Sequence, residues 1–107
     1  MRQWMVDPKV LCRNHLLGEH RECHTFRGTL KAGISIEGYL NGLFDPSRLK
    51  ARHDELVVEM ERRGYSHYSP IDQPDNVVTA SVNSEANLKD LAQRCIECCN
   101  LQKQGGY

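Results

Sequence analysis

The sequence predicts an all-α fold, a compact domain of about three helices with long connecting loops, and three observations carry that expectation. Two Asp-Pro pairs, Asp7-Pro8 and Asp45-Pro46, each put a side-chain acceptor at a helix N-cap and proline at the first helical position, where its missing N–H costs nothing. Behind both pairs, and again behind Ser84, apolar residues recur at helical spacing. Only a short stretch at 77–79 reads as extended.

The first helix follows Asp7-Pro8. Val6 ahead of it can pack on Leu11 as a hydrophobic staple, and Cys12, Leu16, Glu19, Cys23, Phe26 and Leu30 form one stripe that ends near Gly33. Glu19 therefore sits inside an apolar face, where a carboxylate is costly unless paired, so an arginine or a backbone donor is expected to meet it across the core. The second helix follows Asp45-Pro46 with Phe44 and Leu49 as its staple. Leu49, His53, Leu56 and Met60 form its stripe, and Arg62-Arg63-Gly64 supplies its stop. His53 falls in that stripe and reads as a hydrogen-bonded interior residue. A third helix is expected from an N-cap at Ser84 through Leu88, Leu91, Cys95 and Cys98 to about Gln102. Segments 33–44 and 65–83, the latter rich in Pro, Asp and Asn, read as loops.

A chain of 107 residues fits one domain, 1–107, with room for one core. No apolar run approaches the roughly 18 residues of a membrane span, and the N-terminus has no apolar signal region, so a cytoplasmic, intracellular chain is expected. The formal net charge is zero. Its distribution is uneven, because residues 1–53 carry nine Lys/Arg against five Asp/Glu and residues 54–107 the reverse. A basic half of that kind is an electrostatic footprint for nucleic acid that the total hides.

Five cysteines, an odd number, are expected to stay reduced in such a compartment. Cys95 and Cys98 make a C-x-x-C pair, but this is half of a zinc motif, with Cys12, Cys23 or a histidine as possible completion. Cys12, Cys23, Cys95 and Cys98 all fall on core stripes, so the residues favour packing and no metal or other cofactor is assigned.

The stretch HLLGEHRECHTFR, residues 15–27, holds three His, two Arg and two Glu. His15 and Glu22, seven residues apart, share one edge of the stripe and are placed to line a cleft. A solvated charged face is the plain alternative.

These residues resemble a known family. MRQW (1–4), HLLGEHRE (15–22), GYLN (38–41), HDELVVEMERRGYSHYSP (53–70) and RCIEC (94–98) are similar, in this order, to pyrimidine dimer DNA glycosylases of the endonuclease V type. The resemblance implies a helical protein whose N-terminus threads between the helices. It implies a DNA repair glycosylase with abasic-site lyase activity, acting as a monomer on damaged double-stranded DNA. It further implies that the nucleophile is the α-amino group of the first residue, here Met1, and that the acid of the RE pair, here Glu22, assists it. Thr25 stands where phage members carry a second arginine, and the chain ends in QKQGGY rather than an aromatic, basic tail.

An N-terminal amine suits the chemistry. Its ordinary pKa of about 7.7–8.0, against about 10.4 for lysine, leaves a useful fraction neutral and nucleophilic near pH 7. Arg2 and Arg21 are candidates to lower it further. Met1 can approach Glu22 only if the first six residues fold back along the first helix. Arg2, Arg13, His15, Arg21, Arg27, Arg48 and Arg52 are the candidates for contact with DNA. A non-catalytic helical DNA-binding module, a glycosylase for another modified base and a metal-stapled interaction domain are the alternatives.

Overall fold

The computed structural model describes residues 2–66 and 69–106. All regular elements among them are helical, but the α-helices number four, not three. They are α1 (Arg13–Lys31), α2 (Leu49–Arg62), α3 (Ser84–Arg94) and α4 (Ile96–Gln104), with single 3-10 turns at Pro8–Val10, Glu37–Tyr39 and Pro46–Arg48. The expected third helix is therefore two. Cys95 adopts an extended conformation (φ −137°, ψ 110°) between them, although the apolar spacing runs through it unbroken and no Gly or Pro marks the break. The N-cap of α3 is Asn83, whose Oδ1 accepts the Ala86 N–H at 2.9 Å, rather than Ser84.

Both Asp-Pro pairs cap a 3-10 turn, and the two then differ. Asp45 accepts from Ser47 N, and its turn runs directly into α2. Asp7 accepts from Lys9 N at 3.0 Å, but Leu11 is extended, so α1 starts only at Arg13 with Cys12 as its N-cap. The left-handed Gly33 (φ +72°) and Gly64 (φ +87°) follow α1 and α2, a conformation open to glycine without a Cβ penalty. Segments 33–44 and 65–83 hold no helix longer than one turn and no strand among the described residues, so the extended stretch at 77–79 pairs with nothing.

α1 packs on α2, α3 packs on α4, and the Pro8–Val10 turn touches both α2 and α4. The α1 stripe lies inward as its period requires: Leu16, Glu19, Cys23 and Phe26 are buried, and Phe26 stacks on Phe44 with ring centroids 3.7 Å apart. Burial, reinforced by the Glu19 charge, pushes the Cys23 thiol up to about 12, so it stays protonated and packs as a small apolar group. No helix among the described residues is long and apolar enough to cross a membrane.

The N-terminal segment fills the space between these layers. Trp4 and Val6 are core residues. Gln3 donates its backbone N–H to Leu43 O at 2.7 Å and accepts from Asp45 N through Oε1 at 2.9 Å. Val6 O accepts from Arg52 Nη1 at 2.8 Å. At the far end of α2, Arg63 donates to Glu59 Oε2 at 2.6 Å and to Leu11 O at 2.7 Å, which ties the EMERRGY segment to the turn preceding α1.

Candidate active site

Glu22 stands half-buried at the edge of the α1 stripe, and its Oε2 accepts the backbone N–H of Arg2. The first residues do fold back along α1. Met1 lies outside the described residues, which begin at the Arg2 that Glu22 holds.

The Arg2 side chain is held on three sides. Its guanidinium lies over the Trp4 ring at 3.9 Å, Nη2 donates to Asn87 Oδ1 at 2.6 Å, and Nη1 is 3.7 Å from Asp90 Oδ2. Asn87, buried on α3, returns a bond from Nδ2 to Trp4 O at 2.9 Å. Burial lowers the Arg2 pKa from its ordinary value while Asp90 opposes the shift. The candidate site is thus built from Glu22 of α1, the N-terminal segment and the first turns of α3. Asn87 and Asp90 carry no motif and escaped the sequence reading.

The residues expected to contact DNA divide into two groups. Arg13, Arg21 and Arg48 are exposed, and none of them forms an ion pair among the described residues. Arg21 also lines, with Leu17, His20, His24 and Ser69, an open groove of about 390 Å³ along α1. The expectation for Arg52 is corrected. Its side chain is 1% exposed, held by Glu19 at 2.5 and 2.8 Å, by Glu55 and by Val6 O, so it cannot reach a phosphate. It is the partner that Glu19 requires. Arg27 is half-buried and forms a two-pronged bond with Asp72 at 2.8 and 2.9 Å. His15 turns away from Glu22 toward the sulfurs of Cys12 and Cys98.

His20, His24 and His53 pack with ring centroids 4.9–5.0 Å apart. His53 is an interior residue, as its stripe predicts, and its Nδ1 lies 2.9 Å from Asp54 Oδ1.

No curated protein and no solved structure matches the chain. A family profile does. It spans residues 1–73, which includes MRQW, HLLGEHRE, GYLN and HDELVVEMERRGYSHYSP and stops short of RCIEC, and the family it describes is pyrimidine dimer DNA glycosylase. With that match over more than half of its length, the chain belongs to the pyrimidine dimer DNA glycosylase family, whose substrate is DNA.

Proposed function

We propose that the chain excises pyrimidine dimers from double-stranded DNA and cleaves the resulting abasic site, with the α-amine of Met1 as nucleophile and Glu22 as its acid–base partner. The observation that supports this reading is the hydrogen bond from Arg2 N–H to Glu22, which holds the carboxylate against the residue that follows Met1 in the sequence. The amine attacks C1′ of the damaged nucleotide and the glycosidic electron pair leaves with the base. The amine then loses its proton, and the opened sugar gives a protonated Schiff base. Removal of a C2′ proton expels the 3′ phosphate by β-elimination, and water returns the amine. Glu22 stabilises the positive charge developing on the sugar and carries protons between these steps. The target nucleotide has to leave the stack, which costs least where damage has already weakened it.

Borohydride added during reaction with dimer-containing or abasic DNA should reduce the Schiff base to a stable secondary amine that joins protein to DNA. Peptide mapping should place the adduct on residue 1. Trapping should persist in Lys9→Ala and Lys31→Ala and vanish when the N-terminus is acetylated. An adduct on a lysine, or no adduct from active protein, would overturn the mechanism, and DNA binding without any excision or cleavage would favour a non-catalytic binding module.

DNA affinity rests in this reading on Arg13, Arg21 and Arg48, since Arg52 is internal and Arg2 and Arg27 are engaged within the protein. Three phosphate contacts give a log–log salt slope of about −3, where six would give about −5. Arg21→Ala and Arg48→Ala should each flatten the measured slope by about one. A slope unchanged in both variants would remove these residues from the interface.

A further inference from the structure

Four side chains to which the proposed mechanism gives no step converge where the starts of α1 and α4 meet, among them His15, which faces two sulfurs. Cys12 is the N-cap of α1 and His15 follows three residues later; Cys95 is the N-cap of α4 and Cys98 follows three residues later. The chain thus carries a C-x-x-H pair and a C-x-x-C pair on two helix starts that the fold brings together. Cys12 Sγ lies 3.2 Å from His15 Nδ1, Cys98 Sγ lies 3.4 Å from the same nitrogen, and Cys95 Sγ lies 3.9 Å from Cys12 Sγ. All four donor atoms fall within 4.8 Å of one another. With Zn–S about 2.3 Å and Zn–N about 2.0–2.1 Å, a tetrahedral ion separates its donors by about 3.6 Å for S···N and about 3.8 Å for S···S. The two S···N edges, 3.2 and 3.4 Å, are a few tenths of an ångström shorter than that separation, and the S···S edge of 3.9 Å is close to it.

We propose that Cys12, His15, Cys95 and Cys98 form a structural zinc site, a Cys₃His tetrahedron that fastens α4 to the start of α1. Binding is ligand exchange without redox change: one Zn²⁺ enters and three thiol protons leave. Two backbone donors already serve the sulfurs, Cys12 N–H to Cys98 Sγ at 3.2 Å and Cys98 N–H to Cys95 Sγ at 3.5 Å, as thiolate ligands require. The N-terminal ends of α1 and α4 both favour the negative sulfurs. The site also accounts for the interruption of the third helix, because the extended Cys95 bonds Cys98 N–H and brings its sulfur toward Cys12. Cys23, by contrast, is buried on α1 outside the cluster, as a packing cysteine should be.

The site lies beyond the family profile at one end, since Cys95 and Cys98 follow residue 73. A small domain gains from such a staple what its limited core cannot supply. His15 also meets the edge of Trp4, ring centroids 5.7 Å apart, so the staple braces the segment that leads to Arg2 and Glu22.

Elemental analysis of the full chain purified from zinc-supplemented medium should give one zinc per molecule. Cys95→Ser should hold less than a tenth of that, His15→Ala should lose at least tenfold in zinc affinity, and Cys99→Ser should remain at one. Replacing the ion by cobalt(II) in the wild-type chain should give thiolate-to-metal charge transfer and the intense visible bands of tetrahedral cobalt, a readout that needs no variant to fold. These measurements involve no DNA, so they stand or fall separately from the glycosylase reading. Wild-type protein with less than a tenth of an equivalent, cobalt spectra without thiolate bands, or a disulfide at Cys95 would overturn the site.

Discussion

Glu22→Gln should abolish base excision and strand cleavage, with a loss of at least about 10²–10⁴ in rate, the range expected when a positioned acid–base group is removed. The substitution keeps the shape of the side chain and leaves an oxygen to accept the Arg2 N–H, so the fold-back of the N-terminus survives. What disappears, on the proposed mechanism, is the negative charge beside the developing oxocarbenium and imine, together with the ability to take up and return a proton. Because Glu22 is half-buried at an edge, thermal stability should stay close to that of the parent chain. Affinity for lesion-containing DNA should also be nearly unchanged, since the proposed phosphate contacts lie on other residues. Single-turnover cleavage and melting curves on the same preparation check both halves. Retained cleavage would take Glu22 out of the mechanism; lost binding would make it a recognition residue.

The phase of α1 was legible because a strict 3.6-residue period separates an inward Glu19 from an edge Glu22 only three residues away. That distinction put Glu22 at an edge of the stripe and Glu19 inside it, while the role of acid came to Glu22 from the family resemblance alone. Arg52 was not legible in the same way. It stands three residues after Leu49 and four before Leu56, squarely on the inward face, but a charged residue beside His53 and Asp54 reads as surface unless the demand of Glu19 for a partner is followed across to the next helix. The division of the third helix at Cys95 left no local signal, since Leu88, Leu91, Cys95 and Cys98 keep helical spacing and the residue types around the break all tolerate a helix. What accompanies it is non-local: the sulfurs of Cys95 and Cys98 face Cys12 and His15, 83 residues away in the chain. The C-x-x-C pair therefore read as half a motif: its other half, Cys12-Arg13-Asn14-His15, sits in a different helix start. Asn87 and Asp90 are ordinary helix residues whose role comes only from the side chain of Arg2 reaching α3.

The same helical phase makes Glu19→Gln behave in the opposite manner to Glu22→Gln. Glu19 has no exposed side-chain surface and Arg52 has 1%, and each satisfies the other through two bonds, at 2.5 and 2.8 Å. Neutralising Glu19 leaves the guanidinium buried with Glu55, which is half-exposed, and the Val6 carbonyl as its remaining partners. Breaking a buried pair of this kind costs about 3–5 kcal/mol. For a domain of about 100 residues each kcal/mol moves the midpoint by about 4–8 °C, so Tm should fall by at least roughly 12 °C. Replacing both partners by apolar residues of similar size, Glu19→Leu with Arg52→Met, should recover part of that loss. No buried charge then remains, although the Val6 carbonyl still lacks its donor. Calorimetry on Glu19→Leu, Arg52→Met and the double variant forms a cycle that isolates the pair. A loss in Glu19→Gln no larger than in Glu22→Gln, or a double variant weaker than both singles combined, would mean that the Glu19–Arg52 bridge is not what holds α1 against α2.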